Sequence, residues 1–243
     1  MTTLKAKLKE TFEMRDIGEL KRFLGIEIRR APEGLHLNQK HYLEKLLIHF
    51  GMSDCKEIKA PININNLGKE QNEEIITSKP VRELIGCLMY VMVATRPDLS
   101  ASVSLSPTEP LWKCLKQILR YIKGTQNLEL FFDKRDEYVI VGYADSDWAG
   151  DESDRKSTTG FLYKVCGSSV HWSTKKQNTV AVSSTEAKYI ALAEAAREGI
   201  WLRRLLEDFG YLNPKLVIYE DNQLCISLTT KWEHKRLRHI HRY

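Results

Sequence analysis

Two aspartates close apolar stretches of the kind that form buried β-strands. Asp145 ends the segment VIVGYAD, and Asp221 ends the segment VIYED. Ligand sites in mixed α/β sheets collect at strand ends, and carboxylates that meet there repel each other unless a cation lies between them. Such oxygen ligands select Mg²⁺ or Mn²⁺, which can clamp the attacking and leaving oxygens in phosphodiester hydrolysis. Strand-end aspartates are also common helix caps and turn residues, so their spacing leaves both interpretations open.

The second half of the chain supplies the elements that would position these aspartates. The apolar patterns and turn residues predict strands and helices in this order: strands Leu128–Phe132, Tyr138–Ala144, Thr158–Val165 and Ser169–Ser173, helix Thr185–Phe209, strand Leu216–Tyr219 and helix Asp221–Thr229. Ser183 and Glu186 precede the long helix at the spacing of a capping box. The order predicts an α/β sheet with an antiparallel hairpin and a parallel added strand.

Several polar residues near these strands have less certain roles. Asp147 follows Asp145 by two positions, and we expect it to shape the turn after the strand. Lys175, Lys176 and Gln177 follow a strand and are candidates for contacts to phosphate, although exposed lysines often make no specific contact.

The first half of the chain is predicted to be α+β and mainly helical. Apolar residues at helical spacing predict helices Leu4–Glu13, Gln39–Phe50, Glu83–Thr95 and Trp112–Lys123. Alternating residues in 23–37, with Gly34 in a turn, predict a β-hairpin, and the polar stretch Lys59–Ser78 predicts a loop. The character changes near Asn127, so we expect one domain over 1–126 and a second over 127–243.

The composition is that of an ordinary globular protein. Of the 243 residues, 42% are hydrophobic and 28% are charged, which argues against disordered and low-complexity classes. The apolar stretches are too short to span a bilayer, and the first residues lack the core of a signal peptide. The five cysteines form no CxxC pair, which argues against a disulfide framework or a zinc site. We therefore expect a cytoplasmic or nuclear protein that is neither secreted nor bound to a membrane.

The charge distribution points to a possible partner. The net charge of +5 is small, but the final residues 231–243 carry several lysines and arginines. Such a segment is typical either of a polyanion-binding tail or of a solvated basic end.

The chain resembles the Pol polyprotein of copia-type retrotransposons along nearly its whole length. Its first half resembles the end of the reverse transcriptase palm and the segments that follow it, in FEMRDIGELKRFLGIEI (12–28), LNQKHYLEKLLIHFGMSDCK (37–56), RELIGCLMYVMVATRPDL (82–99) and LKQILRYIKGT (115–125). Its second half resembles the ribonuclease H domain, in GYADSDWAGDESDRKSTTGF (142–161), SSTEAKYIALAEAAREGIWL (183–202) and IYEDNQLCISL (218–228). So many motifs in one order make the resemblance highly specific.

The resemblance implies a ribonuclease H-like mixed sheet after a reverse transcriptase palm end, thumb-like segment and connection. The activity it implies is metal-dependent hydrolysis of RNA in RNA:DNA hybrids, with Mg²⁺ or Mn²⁺ held by acidic residues. Asp145 and Asp221 match catalytic, metal-binding aspartates of the family. The positions that match nucleic-acid contacts of the family are Ser183, Ser184, Thr185, Asn222 and Gln223. Contacts to 2′-hydroxyls suit RNA recognition, and helix capping is the alternative role of the Ser183–Thr185 segment.

The chain departs from the family at the residues on which catalysis depends. The family motif SSTEAEY reads SSTEAKY here, so Lys188 stands where the catalytic glutamate belongs, and a protonated lysine cannot coordinate Mg²⁺. Glu186 is rotated by about 200° around the helix from that position, so it cannot substitute. The family's fourth carboxylate is not found, and His241 stands at an expected aspartate. The Tyr-x-Asp-Asp motif of the polymerase site is not found either. We therefore expect a C-terminally truncated domain with little or no nuclease activity.

These observations leave three interpretations of the function. The first is a fragment of a copia-type Pol polyprotein, whose ancestral partners are RNA:DNA hybrids and the other parts of the polyprotein. The second is a nucleic-acid-binding module without catalysis that the host has retained. The third is a transposon relic without function.

Overall fold

A computed structural model describes residues 2–15, 18–61, 79–103, 110–134, 139–150 and 154–230. Most of the predicted loop at Lys59–Ser78 lies outside these ranges, as do the basic residues 231–243 and His241. The helices in the described ranges are α1 (Thr2–Thr11), α2 (Lys40–His49), α3 (Lys79–Ala94), α4 (Ser100–Val103), α5 (Pro110–Gly124), α6 (Ser184–Asp208) and α7 (Gln223–Thr230), with a 3₁₀ turn at Pro97–Leu99. The strands are β1 (Arg22–Phe23), β2 (Ile26–Ala31), β3 (Gly34–Asn38), β4 (Leu130–Asp133), β5 (Val139–Asp147), β6 (Thr158–Val165), β7 (Ser168–Lys176) and β8 (Lys215–Tyr219).

The first sheet is antiparallel and has the strand order β1-β2-β3-β4. The predicted hairpin is confirmed by the pairing of β2 with β3, in which Ile28 lies opposite Leu37. Gly34 opens β3 instead of lying in the turn. A Cβ atom at Gly34 would lie 2.1 Å from the backbone oxygen of Phe132, so the close passage of β4 requires glycine there.

The predicted helices of the first half are confirmed, and α2, α3 and α5 share one apolar core. Leucine, isoleucine and valine side chains at helical spacing pack together from α2, α3 and α5, because their apolar faces can leave water only against each other. The fully buried members are Leu43, Leu84, Leu88, Val91, Leu99, Leu115, Ile118, Leu119 and Ile122.

The strand predicted near Leu128 belongs to the first sheet. The strand forms at Leu130–Asp133, but it pairs with β3, and Leu37 lies opposite Leu130. The local pattern identifies a strand without identifying its partner, which is a property of the folded chain. The first sheet therefore extends past the predicted boundary between residues 126 and 127, and that division stays a prediction.

The second sheet has the order β7-β6-β5-β8, in which β5 pairs antiparallel with β6 and parallel with β8. The predicted α/β sheet with an antiparallel hairpin and a parallel addition is confirmed in this form. Helix α6 covers one face, where Ile140, Ala144, Phe161 and Tyr163 pack against Ala195 and Leu202. This packing fixes the position of the α6 residues that lie near the strand ends.

Hydrogen bonds join β7 of the second sheet to the helices of the first half of the chain. The indole nitrogen of Trp172 donates to the backbone oxygen of Met92 at 3.0 Å. The hydroxyls of Ser100 and Thr174 lie 2.9 Å apart, so the start of α4 is bonded to β7 as well. Across the described segments, none of the helices is long and apolar enough to cross a bilayer.

Candidate functional site at the ends of strands β5 and β8

The parallel register of β5 and β8 brings the two predicted aspartates together. Tyr143 pairs with Tyr219, and their rings stack with centroids 5.5 Å apart. Continuing this register by two residues places Asp145 beside Asp221. Strand β5 runs on to Asp147, so Asp145 lies inside the strand, opposite Gly160, and not at its end as predicted. Asp145 nevertheless lies two residues beyond Tyr143, the last residue of β5 that pairs with β8.

Lys188 lies between the two aspartates. Its ammonium nitrogen is 2.7 Å from Oδ1 of Asp145 and forms a second short ion pair with Oδ1 of Asp221. The lysine side chain is only 15% exposed, whereas the aspartate side chains are 74% and 77% exposed. The ammonium is therefore the centre of the cluster, and the carboxylates face water around it.

Glu220 is a third carboxylate of the cluster that the sequence analysis did not identify. Its side chain is 2% exposed, and its Oε1 lies 3.8 Å from the ammonium of Lys188. The backbone N–H of Asn222 donates to the same oxygen at 3.0 Å. The other oxygen, Oε2, is buried without a hydrogen-bond partner. The only signal in the sequence was its position beside Asp221, which does not reveal burial.

The charges of the cluster shift the pKa values of its members. Partial burial acts to lower the pKa of Lys188, but the hydrogen bonds and charges of Asp145 and Asp221 outweigh it and hold that pKa above its usual value. Lys188 in turn lowers the pKa of Asp221. Burial, together with the neighbouring Asp221 carboxylate, raises the pKa of Glu220. The lysine therefore stays protonated at neutral pH.

The cluster as it stands does not fit a divalent metal ion. In the parts of the chain that the structure describes, no group of three histidines, cysteines or carboxylates is arranged to hold a metal. A protonated lysine has three donors and no lone pair, so it occupies the space between the carboxylates without becoming a ligand itself. Asp145 and Asp221, the residues predicted to hold Mg²⁺ or Mn²⁺, are both bound to the ammonium.

The predicted nucleic-acid contacts form the two helix starts beside this cluster. Ser183 caps α6, because its hydroxyl accepts from the backbone N–H of Glu186 at 3.2 Å. The carboxylate of Glu186 accepts from the N–H of Val182 at 2.7 Å, so it bonds the start of the helix one residue before the Ser183 N–H that a capping box uses. The side-chain oxygen of Asn222 accepts from the N–H of Cys225 at 2.9 Å, at the start of α7. Ser184 and Gln223 are exposed, and Thr185 is half-buried. Their contacts to nucleic acid stay predictions.

The remaining polar candidates lie outside the cluster. Asp147 is the last residue of β5, opposite Thr158, and its carboxylate lies against the turn that follows, so close to Gly150 that a Cβ atom there would lie 1.7 Å from Oδ2. The possibility that Gln177 contacts phosphate is wrong, because its buried side-chain amide donates to Thr159 Oγ1 and to the Ala187 carbonyl, each at 3.0 Å. Lys176 forms an ion pair with Asp154 at 2.9 Å, and Lys175 is exposed.

Comparison with known proteins places the chain in a class of mobile genetic elements. Residues 1–64 match the family described as reverse transcriptase (RNA-dependent DNA polymerase). The retrovirus-related Pol polyprotein from transposon TNT 1-94 of Nicotiana tabacum is 36% identical over 98% of this chain, and that from transposon RE1 of Arabidopsis thaliana is 37% identical over 96%. An uncharacterized mitochondrial protein of Arabidopsis thaliana is 38% identical over 80% of this chain and 83% of its own length. No solved structure matches the chain.

The chain belongs to the family of retrovirus-related Pol polyproteins from copia-type transposons. It spans 19% of the TNT 1-94 polyprotein and 16% of the RE1 polyprotein. It therefore corresponds to a segment of such a polyprotein, and that segment includes reverse transcriptase sequence.

Proposed function

We propose that residues 127–243 are a ribonuclease H-like domain that has lost its hydrolytic activity, and that residues 1–126 are the palm end, thumb-like segment and connection of a reverse transcriptase. The ancestral reaction of the second domain is hydrolysis of RNA in RNA:DNA hybrids. The relationship to Pol polyproteins and the mixed sheet with its parallel added strand support this assignment.

The loss of activity is inferred from one contact, the binding of the Lys188 ammonium to both Asp145 and Asp221. In the ancestral site these carboxylates would hold Mg²⁺ or Mn²⁺, which activates water and stabilises the charge on the phosphate oxygens. In this chain the positively charged ammonium of Lys188 already lies between the two aspartates. It neutralises the carboxylates, repels an incoming divalent ion and offers no lone pair to it.

The expected loss of rate is large. A decrease in transition-state stabilisation of about 4 kcal/mol corresponds to about a 10³-fold decrease in rate. Replacing a ligand with a cation removes one metal contact and adds a repulsive charge, so we expect a decrease of at least this order.

Incubation of the full chain with a labelled RNA:DNA hybrid and Mg²⁺ or Mn²⁺ tests the proposal. We expect no cleavage above a buffer control. Metal-dependent cleavage that Asp145→Asn abolishes would contradict the proposal, because it would show that this cluster still binds the metal.

Binding of a hybrid without cleavage is a second candidate function. The sheet register places exposed Lys175 of β7 opposite Thr159 of β6, and Thr159 lies opposite Ser146 of β5, the residue that follows Asp145. Ser184 and Gln223 are exposed at the neighbouring helix starts. A salt titration of hybrid binding tests this function, and Lys175→Ala is expected to reduce the slope of log K against log salt by about 1. An unchanged slope would contradict a phosphate contact at Lys175.

A further inference from the structure

We propose that the outer edge of strand β8 is a dimer interface, at which β8 pairs antiparallel with β8 of a second copy of this chain. The second sheets of the two copies, each of four strands, would then form one continuous sheet around a two-fold axis. This interface goes beyond the proposed function and does not depend on it.

Strand β8 lies at one end of the second sheet and is paired on one side only among the described residues. Strand β5 pairs with it, and no described strand pairs with its other side. Alternate backbone N–H and C=O groups of such a strand point away from the sheet, where another strand can bind them. Strand β7, at the other end of the sheet, is instead bonded to the first half of the chain through Ser168, Trp172 and Thr174.

The centre of β8 has the composition of an inner strand. Leu216, Val217 and Ile218 form an apolar run in unbroken register with β5, and all three are only half-buried. Ile140, the partner of Leu216 on β5, is fully buried. Leu212, three residues before β8, is 97% exposed. Edge strands usually prevent pairing with charges, proline or bulges, and this apolar run has none of them, so a second strand would bury it.

The charges along β8 make the strand complementary to itself in the antiparallel direction. Lys215, Val217, Tyr219 and Asp221 alternate along the chain and therefore share one face of the sheet. Antiparallel pairing centred on Val217 places Lys215 opposite Tyr219 of the second copy and diagonal to its Asp221, and an ammonium interacts favourably with both groups. Parallel pairing would place each charge beside its like, so the charges favour the antiparallel arrangement.

The register centred on Val217 also keeps the two α6 helices on the same face. Leu216 then lies opposite Ile218 of the second copy, and both residues pack on the face that α6 covers. A shift of one residue would turn the second copy over and place its α6 on the opposite face. The centred register pairs every residue of β8 and therefore gives the longest ladder.

Sedimentation velocity of the full chain over a range of concentrations tests whether the dimer forms. We expect a reversible equilibrium between monomer and dimer at micromolar concentrations, because the pairing of two short strands gives a small interface. A chain that stays monomeric up to several hundred micromolar would overturn the proposal, since it would show that β8 does not pair with a second copy.

Charge substitutions test which residues lie opposite each other. Lys215→Glu and Tyr219→Lys should each weaken the dimer by about 10-fold or more, because each places like charges together at both symmetric positions. The double variant restores opposite charges and should dimerise at least about 10-fold more tightly than either single variant. Lys175→Glu on β7 is the matched control and should leave the affinity unchanged. A double variant no better than the single ones, or an equal effect of Lys175→Glu, would overturn the proposal.

A disulfide across the two-fold axis tests the register directly. In the centred register Val217 faces its own copy with Cα atoms about 4.5–5.5 Å apart, which is within reach of a disulfide. Tyr219 is more exposed but lies about 13 Å along the strand from its own copy. Under mild oxidation we expect Val217→Cys to form a covalent dimer, and Tyr219→Cys to form no more than the native chain with its five cysteines. Equal yields from the two variants, or no covalent dimer of Val217→Cys, would overturn this pairing.

Discussion

The position of helix α6 on the second sheet depends on a tyrosine held between two glycines. Tyr163 is fully buried, and its ring lies against Gly142 of β5 and Gly199 of α6. A Cβ atom at Gly199 would lie 2.6 Å from the Tyr163 hydroxyl oxygen and 3.1 Å from Cδ1 of Leu216. Gly199→Ala therefore tests how closely α6 packs against the second sheet, because only glycine at this position leaves room for the Tyr163 ring.

We expect Gly199→Ala to destabilise the protein by about 1–3 kcal/mol. Overpacking of a filled core commonly costs about 1–3 kcal/mol. A displaced Tyr163 hydroxyl would also weaken its bond to the Ala195 carbonyl, which is 2.5 Å long, and such a bond contributes about 1 kcal/mol. The higher helix propensity of alanine offsets about 1 kcal/mol of this destabilisation. For a protein of this size, the melting temperature should fall by roughly 3–10 °C.

Thermal unfolding followed by circular dichroism measures this effect, and Gly86→Ala in α3 is the matched control. Gly86 is also inside a helix, but a Cβ atom there would meet nothing within 4 Å, so this change should stabilise the protein by up to about 1 kcal/mol. The two substitutions are therefore expected to act in opposite directions. Equal stabilisation by both would refute the close packing of Tyr163 against α6.

This packing bears on the candidate site because both lie on one side of α6. Lys188 precedes Gly199 by eleven residues, which is about three helical turns. The contact at Gly199 therefore sets both the distance and the rotation at which Lys188 reaches Asp145 and Asp221.

Three further substitutions test other parts of the structure. Ser183→Ala removes the cap bond to the Glu186 N–H and should lower the free energy of unfolding in urea by about 1 kcal/mol. Ser184→Ala, at the exposed neighbouring position, should leave that free energy nearly unchanged, and equal free energies for the two variants would contradict the cap. Burial acts to raise the pKa of Asp98, but the hydrogen bonds and charge of Arg96 outweigh it and lower that pKa below 3.8. The ionised Asp98 therefore stabilises the folded chain above the unfolded-state pKa, and this stabilisation is lost as the pH falls through the folded-state pKa. The melting temperature of the native chain should consequently fall more steeply than that of Asp98→Asn between about pH 5 and pH 2, and parallel curves would contradict the pairing. Trp172→Phe removes the hydrogen bond to the Met92 carbonyl between the two halves of the chain and should lower the free energy of unfolding by about 1 kcal/mol in the same urea assay. An unchanged free energy of unfolding would contradict this bond.

Local patterns were sufficient to predict most of the helices and strands. The apolar spacing and the Ser183–Glu186 pair marked the start of α6 to within one residue, because capping depends only on neighbours in the chain. The β2–β3 hairpin was predictable for the same reason. The partner of β4 was not, because pairing with β3 joins residues about a hundred positions apart.

The candidate site was predictable in its aspartates and not in its geometry. The apolar runs before Asp145 and Asp221 pointed to strand ends, and the resemblance to copia-type elements made Lys188 conspicuous. The bonds from Lys188 to both aspartates depend on the parallel register of β5 and β8 and on the seating of α6, which are long-range features. The burial of Glu220 depends on the same packing and leaves no mark in the sequence.

The claim that an ammonium stands in place of a divalent ion can be tested by nuclear magnetic resonance of the native chain labelled with ¹⁵N-lysine. The Lys188 side-chain signal is identified by its disappearance in Lys188→Met, and Mn²⁺ is then added as a paramagnetic probe. We expect the Lys188 signal to broaden no more than that of exposed Lys175. Selective broadening of the Lys188 signal at low Mn²⁺ concentration would contradict the claim, because it would place the metal among the carboxylates while the lysine is still present.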